Sequence, residues 1–201
     1  MMGNQVTQPG DISERARKLH FSSLVVDTHC DSISREVDKG QDLGTDTGEG
    51  HLDLPRIRAG NLGVQWWSCF VSAGHVPENR TMDRTIALLD ALKRMCQRHP
   101  DDFEIALTAA DCRRIVAEGK HAAVPCIEGG HAINDSLAAL RLYHELGIRY
   151  ITLSWKDVNY LIGPCNLDYS TRQPVHSTAQ GLNQVQGDTR RALRYVARTG
   201  M

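Results

Sequence analysis

The sequence predicts an α/β fold built on parallel strands. Two observations carry this. Short apolar runs rich in strand formers alternate with segments of helical apolar spacing. Two long stretches with little regular pattern, residues 32 to 65 and 155 to 186, each follow a predicted strand. Alternating strands and helices imply parallel strands joined by right-handed crossovers. In such sheets the loops beyond the C-terminal strand ends carry the ligand.

Five strands and four helices follow in order. "SSLVVDTH" is a valine-rich run and reads as a buried strand. "NLGVQWWSCFVS" reads as the second strand. "TMDRTIALLDALKRMCQRHP" reads as a helix, with Thr81 as a candidate N-cap and Pro100 as a stop. "FEIALT" is the third strand, and "AADCRRIVAEGK" a short helix that stops near Gly119. "HAAVPCIEGG" is the fourth strand, with Pro125 tolerable where its missing N–H faces no partner. "DSLAALRLYHELG" is a helix ending at Gly147, a residue suited to the left-handed turn after a helix. "IRYITLS" is the fifth strand. "GDTRRALRYVART" is a last helix, with Asp188 as its candidate cap.

Composition narrows the function classes. The 201 residues suffice for one domain with a substantial core or for two small ones. Apolar residues are 41% and charged residues 23%, as in an ordinary globular chain. A formal charge of −1 without a long block of one sign argues against a nucleic-acid partner. The arginines at 190, 191, 194 and 198 sit among apolar residues at helical spacing and read as a solvated helix face. Six cysteines lie at wide, irregular spacing with no C-x-x-C pair, so reduced thiols are expected. No apolar run is long enough to span a bilayer, and the polar first twenty residues lack a signal-peptide core. A cytoplasmic location is the expectation.

The chemistry gathers at strand ends. The first strand runs into "VVDTHCDS". Strict alternation places His29 and Asp31 on one face, beyond buried positions at Val25 and Asp27. Imidazole and carboxylate are both zinc donors, although a lone H-x-D also fits a polar strand end with a capping aspartate. The fourth strand ends in "CIEGGH", which brings Glu128 to the same rim. A glutamate ending a buried run needs a partner, because burying an unpaired carboxylate is expensive. Its two glycines allow a sharp turn and a close approach of backbone to a ligand. His131 is assigned a local structural hydrogen bond rather than a place among the ligands.

Three stretches, "VVDTHCD", "HLDLPRIRAGNLGVQWWSCFV" and "IEGGHAINDSLAALRLYHELGIRYITLS", resemble the zinc dipeptidases of the membrane (renal) dipeptidase family. The resemblance runs from about residue 24 onward, with the motifs in order. It implies a (β/α)8 barrel of the TIM type with two zinc ions at the strand C-termini, and hydrolysis of dipeptides. Carried over residue by residue, His29 and Asp31 hold the first zinc and Glu128 bridges both. The resemblance divides the chain into a polar N-terminal extension, residues 1–23, and a partial metal-dependent hydrolase barrel, residues 24–201.

The sequence departs from the family pattern twice. A family histidine just after the fifth strand contacts substrate; "TLSWKDVN" places Trp155 there, open to substrate contact or to packing on the rim. "GLNQVQGDTRRALRYVARTGM" resembles the helix before the sixth strand, and the two histidines of the second zinc would come after it. A (β/α)8 barrel takes about 250 residues. The expectation is therefore an incomplete barrel of about five strands, a truncated form lacking the second-zinc histidines. Its open apolar face would favour self-association. A non-catalytic half-barrel that binds metal or a partner chain is the alternative. A different amidohydrolase sharing only the H-x-D start is a third, and the glutamate before "GGH" argues against it.

Overall fold

The computed structural model describes residues 12–72, 75, 78–134 and 136–153, with the backbone of 167–168 and 173–174. The expected last helix, Trp155 and Cys165 lie outside these residues. A sheet of five parallel strands organises the chain: β1 (Val25–Cys30), β2 (Leu62–Phe70), β3 (Phe103–Ile105), β4 (His121–Glu128) and β5 (Tyr150–Thr152). The helices are α1 (Glu14–Ser22), α2 (Ser34–Asp38), α3 (Leu54–Ala59), α4 (Thr81–Arg98), α5 (Ala109–Ala117) and α6 (Leu137–Glu145). Two-residue strands β6 (Leu167–Asp168) and β7 (Gln173–Pro174) pair antiparallel, within a stretch expected to be loop.

The strands are not equal staves. β4 pairs with β2 along one whole edge, Val64 opposite Ala122 through Phe70 opposite Glu128. Its other edge is shared. β3 takes the N-terminal part at His121–Ala123, and β5 takes the C-terminal part at Cys126–Glu128. The barrel wall therefore runs β1-β2-β4-β5, with β3 as a short addition below β5. This split explains Pro125. It falls in the gap between the two short pairings, where its carbonyl accepts from the Arg149 N–H at 2.9 Å and no strand residue needs its missing N–H.

One face of the sheet carries the main core. Trp67 and Cys69 of β2 and Ala123 and Ile127 of β4 pack against a stripe on α4: Leu88, Leu89, Leu92, Met95 and Cys96. These positions recur every three or four residues, so they share one helix face. Leu140 and Tyr143 of α6 join them. A smaller cluster, Val64, Ala122, Val124, Ala106 and Ile115, lies between the other face and α5.

Caps differ in part from expectation. Thr108 caps α5 in a reciprocal capping box with Asp111, and the Ser136 hydroxyl accepts from Ala139 N–H to start α6. Gly119 and Gly147 follow α5 and α6 with positive φ, 81° and 110°. Thr81, however, is the first residue inside α4; Arg80 holds the cap position and makes no side-chain capping bond. The stretch 32–65 is also not a patternless loop, because it holds α2 and α3. They have five and six residues, too short to show a helical period. Asp53 caps α3 and is wholly buried, accepting from the Arg56 N–H, the Thr47 N–H and hydroxyl, and the Arg56 guanidinium.

β1 corrects a second expectation. It is not buried: Val26 is 46% exposed and Asp27, Thr28 and His29 are exposed. The cause is its place, at the sheet edge with β2 as its one partner among the described strands. Beside it opens a hollow of about 650 Å³ walled by Leu24, Val26, Val64, Trp66, Leu107 and Val124. No helix among the described residues is long and apolar enough to cross a membrane.

Candidate metal centre

The site stands at the C-terminal rim of β1 and β4. Register places Glu128 at the end of β4, opposite Phe70 on one side and Thr152 on the other. At the tip of β1 the pairing slips. Asp27 faces Gln65 but Cys30 faces Trp67, so one extra residue is inserted between them. Such a bulge re-aims a side chain. The insertion lies beside His29, whose side chain reaches the rim together with that of Asp31. The His29 N–H donates to Asp27 Oδ1 at 3.1 Å, which steadies the distorted segment.

The expected residues converge. His29 Nε2 lies 2.9 Å from Glu128 Oε2 and 3.2 Å from Asp31 Oδ1. One donor atom from each of His29, Asp31 and Glu128 falls within 4.8 Å of the others, and no other group of three or more such residues does so among the described residues. Exposure grades across them: the Glu128 side chain is 16% exposed, His29 37% and Asp31 47%. Burial, then the negative charge of Asp31, pushes the Glu128 carboxyl above its ordinary pKa, against the opposing bond from His29. Two carboxylates facing one imidazole nitrogen make a donor set suited to a divalent cation, which would relieve their repulsion.

The other candidates resolve separately. His131 does not join the cluster. Its Nε2–H donates to the Val71 carbonyl at 2.7 Å, a structural bond as expected, although its partner lies 60 positions away rather than nearby in sequence. The preceding turn serves that ring: Gly129 has φ +102°, and a Cβ there would come within 2.3 Å of His131 Cε1. Gly129 thus accommodates a histidine, not a ligand. Cys30, Cys69, Cys96, Cys112 and Cys126 are free thiols, and burial pushes Cys69 and Cys96 up to about 12. Neither belongs to the group formed by His29, Asp31 and Glu128.

One residue at the site was missed. Tyr150 opens β5, and its hydroxyl lies 2.5 Å from His29 Nδ1. The available signal was alternation. In "IRYITLS", Tyr150 and Thr152 share a face, and the register puts Thr152 beside Glu128.

The family model described as membrane dipeptidase (Peptidase family M19) matches residues 13–188. The dipeptidase ataJ of Aspergillus terreus is 38% identical over 112 residues, which cover 52% of this chain and 27% of that protein. The chain thus spans under a third of the length of this curated relative. Among solved structures, the probable dipeptidase PvdM from Pseudomonas aeruginosa aligns with a TM-score of 0.69 at 22% identity, over 93% of this chain and 47% of that one. A metallopeptidase from Rhodobacter sphaeroides, liganded with a phosphinate mimic of the dipeptide L-Ala-D-Ala, aligns with a TM-score of 0.63 at 23% identity, over 69% and 47%. These alignments match the curled parallel sheet to half of a barrel.

Proposed function

The chain belongs to the membrane dipeptidase family, Peptidase family M19, and on that premise we propose that it takes part in zinc-dependent hydrolysis of dipeptides. The observation that carries the reading is the convergence of His29, Asp31 and Glu128 at the C-terminal rim of parallel strands. His29 and Asp31 would hold one zinc ion, and Glu128, set between them and the sheet, would bridge toward a second. A bound zinc supplies Lewis acidity and lowers the pKa of a coordinated water toward neutrality. The protein's own part is to hold three donors in place and to keep Glu128 half-buried, where its charge counts for more. Trp155 is the proposed substrate contact, and a dipeptide is the proposed substrate, as the phosphinate-bound relative suggests.

A second zinc needs donors beyond these three. The family resemblance implies two further histidines for it, which are not among His29, Asp31 and Glu128. Hydrolysis with a single zinc held by these three donors is expected to be slow, because a two-metal clamp with one ligand set filled loses its symmetry. The test is a thermal melt with zinc and then a phosphinate dipeptide mimic. A mimic held at about a hundred times its Kd stabilises by about 2.7 kcal/mol. The melt should rise in the wild type and not in His29→Ala. Equal stabilisation without zinc, or in the variant, would contradict the reading.

A second reading is a non-catalytic half-barrel that covers its open face by association. The apolar hollow beside exposed β1 favours it. It predicts self-association at micromolar concentration. A monodisperse monomer by size-exclusion chromatography with light scattering would contradict it.

A further inference from the structure

His29 uses both ring nitrogens. Nε2 faces Glu128 and Asp31, and Nδ1 faces the hydroxyl of Tyr150. The two directions are chemically linked. A nitrogen that binds a metal must offer its lone pair, so the ring proton then sits on the other nitrogen. With an ion on Nε2, Nδ1 carries the proton and donates. Without one, two carboxylate oxygens around Nε2 call for a donor there, and Nδ1 becomes an acceptor. The partner of Nδ1 must therefore accept in one state and donate in the other. A carbonyl or carboxylate only accepts, and an ammonium only donates. A hydroxyl does both.

We propose that Tyr150 is the positioning residue for His29: its hydroxyl donates to Nδ1 in the metal-free protein and accepts from Nδ1–H in the zinc-bound protein, so that one ring orientation serves both. The proposal rests on the metal reading above. Three contacts hold the phenol for this task. Its ring lies against Trp66, with centroids 5.4 Å apart. Its backbone pairs with Cys126, two residues before Glu128 on β4. Thr152 Oγ1 lies 3.4 Å from the phenol oxygen and donates to it while Tyr150 donates to His29. When Nδ1–H becomes the donor, the phenol proton turns toward Thr152 Oγ1, and the two hydroxyls reverse.

Tyr150→Phe removes the hydroxyl and keeps the ring on Trp66. Outer partners of metal-bound histidines are typically worth 10–100-fold in metal affinity. Zinc affinity, measured by competition with a chromophoric chelator, should fall by that factor in Tyr150→Phe. It should stay unchanged in Tyr143→Phe, a control whose lost hydroxyl donates to the Ala132 carbonyl in the core. Nitrogen-15 NMR of the zinc-bound wild type should show His29 protonated on Nδ1, with that proton protected from exchange with water. The protection should vanish in Tyr150→Phe. Equal zinc affinity and equal Nδ1–H protection in wild type and variant would overturn the proposal. So would a zinc-bound wild type with no protected Nδ1–H, a result that needs no folded variant. A wild type whose His29 signals ignore zinc would instead overturn the metal site itself.

Discussion

His121 gives the fold a specific sensitivity to acid. It opens β4 on the core face, packed edge-to-face against Trp67 and Phe103 with ring centroids 6.1 and 5.4 Å away. Its Nδ1–H donates to the Leu62 carbonyl at 2.8 Å, while its buried Nε2 has no partner among the described residues. A proton on Nε2 would place a charge in apolar surroundings. Burial therefore pushes the His121 pKa from its ordinary 6.5 down to about 4, against the smaller opposing effect of the Leu62 contact. Since the folded pKa lies below the unfolded one, the unfolded chain takes up the proton first as pH falls. Stability from this group is complete above pH 6.5 and is lost between about 6.5 and about 4. At about 1.4 kcal/mol per pH unit, the loss across the window is about 3 kcal/mol. Urea unfolding followed by tryptophan fluorescence, from pH 7.5 to 4.5, reads this directly. The wild type should lose stability on acidification more steeply than His121→Gln, by up to about 1.4 kcal/mol per unit in the middle of the window. Parallel curves for the two proteins would refute the reasoning, whatever the absolute stability of the variant.

Two further perturbations act at the turn and at the site. Gly129→Ala puts a Cβ within 2.3 Å of the His131 ring on a backbone with φ +102°. The histidine must then leave its bond to Val71, and a loss of about 1–3 kcal/mol is expected in thermal or urea melts; unchanged stability would refute the close approach. Glu128 has a raised pKa, so its ionised form opposes folding above the unfolded pKa when no cation is present. Glu128→Gln should therefore raise the neutral-pH Tm of the metal-free protein while weakening zinc binding. A fall in that Tm would show that the carboxylate stabilises the fold by itself.

The parts of the molecule that could be read from the sequence are those with a strong local signal. The stripe on α4 and the apolar runs of β2 and β4 announce themselves by period, and the helix stops at Gly119 and Gly147 by their need for positive φ. His29, Asp31 and Glu128 stood out because polar groups end runs that otherwise need none. Features set by distant partners stayed hidden. Tyr150 looks like any half-buried strand residue, and the histidine it touches lies 121 positions away. The exposure of β1 depends on what stands beside it, and the side placement of β3 on how two short strands divide one edge of β4. Helix α1 buries none of its residues, so its sequence carries no apolar stripe and it read as a polar extension. It is held instead by polar contacts: His20 Nε2 donates to the Gly60 carbonyl at 2.8 Å, and the Asn61 side chain donates to the His20 carbonyl at 2.9 Å.

The most direct test of the central claim is X-ray absorption at the zinc edge on the zinc-loaded protein. Histidine and carboxylate donors place nitrogen and oxygen at about 2.0–2.2 Å, whereas thiolate places sulfur at about 2.3 Å. If His29, Asp31 and Glu128 hold the ion, the first shell contains only nitrogen and oxygen, with the outer scattering of a single imidazole, and Asp31→Ala removes the bound zinc. A sulfur shell, or zinc retained unchanged in Asp31→Ala, would place the ion elsewhere and contradict the account.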